Sequence, residues 1–157
     1  MTDINRLRAS RGLPVLEVRP NLTRKARQWA TTMAAARKVW HSRISRGVTG
    51  SWQKLGENVG HGPSQPLLHA AFVASGSHLW NLVDPSFRYV GVGVVIVNGI
   101  IFVSQVFMQP WSRSDSRASR AARRPSAQRL TSMRPTPQPP TPPPSTGKRS
   151  ALFRPAY

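Results

Sequence analysis

Residues 90–107 read VGVGVVIVNGIIFVSQVF, and this stretch decides the fold. Asn98-Gly99 lies between two β-branched segments, and Asn-Gly in that setting is the strongest short-range signal for a two-residue hairpin turn. Pairing across the turn places Val97 opposite Ile100 and leaves both faces of the ribbon apolar. A sheet that is apolar on both faces must be covered on both. The stretch therefore predicts an α+β fold in which helices pack on both sides of an antiparallel hairpin.

A membrane-spanning helix is the alternative interpretation of this stretch, because no charged residue occurs between Arg88 and Arg113. Asn98-Gly99 interrupts the apolar run at its centre. We therefore expect no transmembrane helix.

Periodic apolar residues upstream of the hairpin predict the covering helices. They recur at steps of three and four over residues 22–40, which predicts one long amphipathic helix with Asn21 as its N-cap. Shorter helices are expected over residues 2–11, where Gly12 ends the helix, and over residues 64–74.

The segments between these helices have weaker patterns. Residues 42–63 contain five glycines and little periodicity, which predicts a loop with one short strand near residues 57–60. Residues 77–84 predict a helical turn before the bend at Asp84-Pro85.

Composition divides the chain near residue 111. Residues 1–111 and residues 112–157 each contribute +9 to the formal charge of +18, and the second segment holds nine of the 15 prolines. The sequence predicts one domain over 1–111 and a disordered basic tail over 112–157. The tail arginines suit anionic polymers through charge alone, and without interleaved aromatic residues they predict no specific nucleic-acid recognition. A solvated linker, or a translated noncoding extension, is the alternative interpretation of the tail.

The chain has no cysteine, which excludes disulfide scaffolds, Cys-ligated zinc fingers and cysteine nucleophiles. The N-terminal residues contain no apolar core of a signal peptide. If the protein is exported, we expect its natural start to lie upstream of Met1.

Acidic residues are scarce in the predicted domain, and Glu57 stands out among the four. It lies in Gly56-Glu57-Asn58-Val59-Gly60, where the glycines favour tight, partly buried backbone. The alternative is a solvated loop glutamate that pairs with one of many arginines.

Four histidines are candidate metal ligands. His41 follows the long helix and His78 begins the predicted helical turn, whereas His61 and His69 are weaker candidates. Two histidines and a glutamate can bind zinc and leave an open coordination position. The spacing between them fits a shared site and equally fits unrelated surface residues.

Short motifs follow one another in a fixed order along residues 1–111: Arg11-Gly12-Leu13-Pro14, Trp40-His41-Ser42, Gly56-Glu57-Asn58-Val59-Gly60, Ser75-Gly76-Ser77-His78, Val90-Gly91-Val92-Gly93 and Ser104-Gln105-Val106-Phe107. In this order they resemble the CAP superfamily, the SCP-like domain of plant pathogenesis-related proteins and many secreted bacterial proteins. The resemblance is to the bacterial branch.

The resemblance implies a three-layer α-β-α sandwich with a small antiparallel sheet. It also implies a cleft in which His41, Glu57 and His78 bind a divalent metal such as zinc, with Ser75 and Asn58 beside them. Many eukaryotic members have a second Glu where this sequence has Ser75, so no two-carboxylate mechanism is expected.

The function implied by the resemblance is that of a secreted or cell-wall-associated monomeric protein that binds a small or lipid-like ligand, with no assigned catalytic residue. A nonspecific polyanion-binding or nucleic-acid-binding basic protein is the first alternative. A metal-dependent hydrolase is the second. Ser42 or Ser75 is nominally available as a nucleophile, but no Asp is identifiable that would orient the base of a hydrolytic triad.

Overall fold

The computed structural model describes residues 2–112, and the predicted tail beyond Ser112 lies outside them. The described residues form four helices and four strands, in chain order α1 (Thr2–Ser10), β1 (Glu17–Val18), α2 (Pro20–Ala36), β2 (Trp52–Gly62), α3 (Gln65–Ala74), α4 (Gly76–Val83), β3 (Tyr89–Val97) and β4 (Ile100–Pro110). None of these helices is long and apolar enough to cross a membrane.

The hairpin formed by β3 and β4 is the centre of the sheet, as the sequence predicts. Val97 pairs with Ile100, and Asn98 and Gly99 adopt φ angles of 50° and 75°, the left-handed pair that a two-residue turn requires. The strand order is β1-β3-β4-β2, so β2 lies at one edge. The predicted sheet is antiparallel. Because β1 pairs with β3 in parallel, the observed sheet is mixed. The long excursion from β1 to β3 through three helices and β2 permits that parallel return.

Helices cover both faces of the sheet. Helix α2 packs on one face, where Leu22 and Ala26 meet Val106 of β4. Helices α1, α3 and α4 pack on the other, where Phe72 of α3 and Leu82 of α4 belong to the same buried cluster. This arrangement is the predicted three-layer sandwich.

Helix α2 lies directly on the backbone of β3. A Cβ atom added at Gly91 would be 2.1 Å from the carbonyl carbon of Leu22, and one at Gly93 would be 2.2 Å from the backbone nitrogen of Arg27. Both glycines are therefore required by the close approach of the helix.

The ends of α2 differ from the prediction. The N-cap residue is Arg19 and not Asn21, because Pro20 occupies the first turn, where its missing N–H costs nothing. The helix ends at Ala36, and Arg37 follows in the left-handed conformation. Trp40 therefore lies outside the helix. Trp40 nevertheless fits the apolar periodicity of the helix. The chain folds back after Arg37 and places the Trp40 ring 5.2 Å from the ring of Trp29.

Strand β2 is longer than predicted, and the predicted helical turn is a regular helix. Strand β2 spans Trp52–Gly62 because it pairs with β4 along its length, whereas its own sequence has little alternation. The predicted helical turn over residues 77–84 is the eight-residue helix α4.

A buried arginine fixes α4 relative to α1. Arg8 is fully buried and donates hydrogen bonds to the backbone oxygens of Pro14, Leu82 and Asp84 at 2.8–3.0 Å. Burial, together with the nearby positive charge of Arg88, lowers the pKa of Arg8, and the carboxylate of Asp84 opposes this shift. The guanidinium thereby holds the C-terminal end of the helix that carries His78.

Candidate ligand site at the edge of the sheet

Strand β2 carries Glu57 and Asn58 side by side at the edge of the sheet. Successive side chains of a strand point to opposite faces. Glu57 pairs with Val106, whose side chain packs under α2, whereas Asn58 pairs with Gln105 and bonds toward α4. Glu57 therefore makes contacts on the side of α2, and Asn58 makes contacts on the side of α4, at neighbouring positions of the edge strand.

Glu57 anchors the segment that follows α2. Its side chain is only 3% exposed, and its Oε2 accepts a hydrogen bond from the backbone N–H of Ser42 at 2.8 Å. The same oxygen lies 3.1 Å from Nδ1 of His41, and Oε1 lies 3.4 Å from the Ser104 hydroxyl. Glu57 is therefore a buried carboxylate with a contact at each oxygen, and its interpretation as a solvated loop residue is wrong.

Two side-chain amides attach α4 to β2. Asn58 is fully buried, and its Nδ2 donates to the backbone oxygen of His78 at 3.1 Å and to Gln105 Oε1 at 3.2 Å. Asn81 of α4 donates in turn to Asn58 Oδ1 at 2.9 Å and to the backbone oxygen of Glu57 at 3.1 Å. A Cβ at Gly56 would lie 2.7 Å from Asn81 Oδ1, so the motif needs glycine there.

His78 is held at the first turn of α4. Its Nδ1 lies 2.9 Å from the Ser75 hydroxyl, and its ring packs 5.0 Å from that of Phe72. Burial lowers the pKa of His78, and the nearby His41 lowers it further, so the neutral imidazole is favoured.

The structure therefore brings together the residues that the sequence suggested for a cleft. Glu57 contacts His41, Asn58 contacts His78, and Ser75 contacts His78. His61 and His69 lie elsewhere: His61 stacks on Phe102, and His69 lines a cavity beneath α1 and α3.

A metal site is not formed by three side chains in the part of the chain that the structure describes: no group of three or more His, Asp or Glu residues there could hold an ion. Each Glu57 oxygen already has a hydrogen-bond contact, and the contact to Oε1 is long at 3.4 Å. The metal set of His41, His78 and Glu57 stays a prediction.

The structure contains a pocket beside His41 that the sequence did not predict. It has a volume of about 380 Å³ and is lined by Lys25, Trp29, Trp40, His41, Arg43 and Arg46. We call it the basic tryptophan pocket. The signal that could have indicated this pocket is the presence of both Trp29 and Trp40, but the apolar periodicity assigned both residues to one face of a single helix. Only the turn after Ala36 places Arg43 and Arg46 opposite Lys25.

The sequence model of the cysteine-rich secretory protein family, abbreviated CAP, matches residues 1–107. This chain belongs to the CAP family. The order of motifs along β2, α4 and the hairpin is thereby explained as that of a CAP domain. Among curated proteins, none is similar enough in sequence to match this CAP protein.

Solved structures share the CAP fold. An outer surface protein of Borrelia burgdorferi is 20% identical with a TM-score of 0.62, and the match covers 70% of this chain and 89% of that one. An extracellular SCP-domain protein of Bacillus anthracis is 24% identical with a TM-score of 0.57, over 69% of this chain and 40% of that one. A cysteine-rich secretory protein of Staphylococcus aureus is 17% identical with a TM-score of 0.55, over 69% and 36% respectively. The matched region thus spans less than half of each of the latter two proteins.

Proposed function

We propose that this CAP protein acts outside the cell or at the cell wall as a binding protein, and that its cleft holds a divalent cation such as zinc together with a small ligand. The observation that carries the proposal is the pair of oriented imidazoles. Glu57 holds His41 through Nδ1, and Ser75 holds His78 through Nδ1. The Nε2 atom of each ring is the one that would face a ligand.

The chemistry of these donors fits zinc. Imidazole nitrogen is a preferred zinc ligand, and a ligating histidine usually has its other nitrogen bonded to a carboxylate or another polar group. Glu57 meets that second requirement for His41 and is a positioning residue in this proposal. Two histidine ligands would leave coordination positions for water or for an atom of the bound molecule.

The position and the volume of the pocket beside His41 favour it as the site of a small ligand. The cavity beneath α1 and α3 has a volume of about 110 Å³, well below the roughly 300–1,000 Å³ of sites that enclose drug-sized molecules. The basic tryptophan pocket, at about 380 Å³, lies within that range and includes His41. We therefore place the ligand there.

The proposed location is supported by proteins of the same fold that are described as an outer surface protein and an extracellular protein. The fold alone does not fix a location or a reaction, so the proposal rests on the site for its chemistry.

A hydrolase is the second candidate, because the Ser75 hydroxyl and His78 Nδ1 are 2.9 Å apart, within the reach of a nucleophile and its base. The contact joins residues three positions apart at the start of α4, which equally suits a structural link. An esterase activity that disappears in Ser75→Ala while zinc binding persists would favour the hydrolase.

Calorimetric zinc titration of the full chain tests the binding proposal. His41→Ala and His78→Ala should each abolish the saturable site, and Glu57→Gln should weaken it by about 10–100-fold, the usual effect of removing a group that orients a ligand. His61→Ala and His69→Ala are matched controls that should bind as the unmodified chain does. Equal binding by all five variants would contradict the proposal.

A further inference from the structure

We propose that the basic tryptophan pocket binds an acidic sugar unit, meaning a saccharide ring that carries a carboxylate or a phosphate group. The inference deepens the proposed function by naming the class of ligand, and it rests on that function in assigning the ligand to the His41 side of the cleft. The charge, the aromatic surface and the size of the pocket support this assignment.

The charge of the pocket is positive, and no carboxylate among the described residues lines it. Lys25, Arg43 and Arg46 line it. Glu57 is the carboxylate close enough to raise the pKa of Lys25, but burial and the charge of Arg46 oppose it, and the pKa of Lys25 is lowered overall. Glu57 is itself buried and bonded to His41 and Ser42. An anion in the pocket would therefore meet three cations with little competition from protein carboxylates.

Part of this charge is held in place. Lys25 Nζ donates to the backbone oxygen of Arg43 at 3.1 Å and lies 5.8 Å from the ring centroid of Trp29. The bond ties α2 to the segment that carries both arginines. The pocket is thus partly organised before a ligand arrives, which reduces the entropic cost of binding.

The aromatic surface suits a ring with C–H groups on one face. Trp29 and Trp40 meet edge to face, with an angle of 77° between their planes. The Trp29 indole N–H is already used, since it donates to the backbone oxygen of Trp40 at 2.8 Å. What Trp29 offers a ligand is therefore apolar ring surface. A puckered sugar ring can pack its C–H groups on such an apolar ring surface.

A second cationic surface on α2 provides an internal comparison. A groove lined by Val18, Pro20, Thr23, Arg24, Arg27, Gln28 and Thr31 has two arginines but no aromatic residue. It should attract anions through charge alone. If the tryptophans contribute to binding, acidic sugars should bind more tightly in the basic tryptophan pocket than in this groove.

Titration of the full chain in the presence of EDTA, followed by the indole N–H signals in NMR, tests the proposal. The probes are glucuronic acid and glucose 6-phosphate, with glucose as the matched neutral sugar and acetate as the matched anion. The two acidic sugars should bind at least ten-fold more tightly than glucose or acetate. Arg46→Gln and Lys25→Gln should each weaken glucuronic acid several-fold, whereas Arg24→Gln in the comparison groove should leave it unchanged. Trp40→Phe, which keeps a ring against Trp29, should weaken the acidic sugars more than acetate.

Several results would overturn the proposal. Acetate that binds as tightly as glucuronic acid would mean attraction of any anion, and an equal loss in Arg24→Gln would place binding elsewhere. Adenosine monophosphate that binds ten-fold more tightly than both acidic sugars would assign the pocket to nucleotides. The sugar titration in EDTA and the zinc titration test the two proposals separately. Sugar binding without zinc binding would support the sugar site and contradict the metal site. Zinc binding without sugar binding would contradict the sugar site.

Discussion

Replacing Gly93 of β3 by alanine tests the packing that positions the candidate site. Helix α2 carries Lys25 and Trp29 and lies directly over this strand. An added Cβ would lie 2.2 Å from the backbone nitrogen of Arg27 and 2.3–2.4 Å from the carbonyl atoms of Ala26. These are helix backbone atoms, so no side-chain rotation can relieve the clash.

The magnitude follows from that geometry. Carbon atoms pack at about 3.5–4 Å, so α2 must move outward by roughly 1 Å along its contact with β3. Overpacking a core costs typically 1–3 kcal/mol and occasionally more. Because the clash here is with rigid backbone, we expect a loss of at least about 3 kcal/mol from a free energy of unfolding that is typically 5–15 kcal/mol. Outward movement of α2 should also displace Lys25 and Trp29 and weaken binding in the basic tryptophan pocket.

Urea unfolding followed by tryptophan fluorescence measures the effect. Gly62→Ala in β2 is the matched control, because its Cβ would have only ordinary contacts with Leu68, at 3.7 and 3.8 Å. It should be neutral or stabilising by up to about 1 kcal/mol, since alanine restricts the unfolded chain more than glycine does. Gly93→Ala that unfolds within about 0.5 kcal/mol of the unmodified chain would refute the close approach of α2 to β3.

Other predictions concern buried polar groups. Asp84 is buried, pairs with Lys54 and accepts hydrogen bonds from Ser86 at 2.6 and 2.8 Å. Burial alone would raise the pKa of Asp84, but the hydrogen bonds from Lys54 and Ser86 outweigh it and lower the pKa overall. Its stabilisation is therefore present above about pH 3.9, the ordinary value, and is lost as pH falls through the lower folded-state pKa. Asp84→Asn should cost about 2 kcal/mol in urea unfolding at pH 7, and the deficit should shrink toward pH 2.5; a deficit independent of pH would contradict this account. Arg8→Met should cost about 3 kcal/mol, because it leaves three backbone oxygens, two of them buried, without their donor, and unchanged urea unfolding would show that water replaces it. Asn58→Leu should destabilise the chain by about 1–3 kcal/mol and shift the NMR signals of the His78 ring more than those of His61, and equal shifts would exclude the proposed link to α4.

Local signals account for the parts of the fold that the sequence predicts well. The turn at Asn98-Gly99 requires two left-handed residues in succession, a demand met within the dipeptide itself. The body of α2 was equally readable because its apolar stripe repeats along one segment. The motif around Glu57 marked the site, since glycines beside a lone carboxylate in a basic domain are visible without any structure.

The pairing of strands that are distant along the chain is seen only in the tertiary structure. The length of β2 depends on β4, which lies about fifty residues away along the chain, and the parallel contact of β1 with β3 depends on the whole intervening excursion. The sequence did not show that α2 ends at Ala36, because Trp40 is still partly buried against Trp29 after the helix has ended, and apolar periodicity reports burial.

The candidate site shows the same division. The sequence by itself determined the residue types available for its chemistry: few carboxylates, no thiols and histidines near glycine-rich motifs. Only the tertiary structure decided that Glu57 holds His41 from one layer while Asn58 binds α4 in the other, and that Arg46 lies near Lys25. Hydrogen bonds and electrostatic interactions act over a few ångströms in space, whereas their partners are separated along the chain by distances that no local pattern encodes.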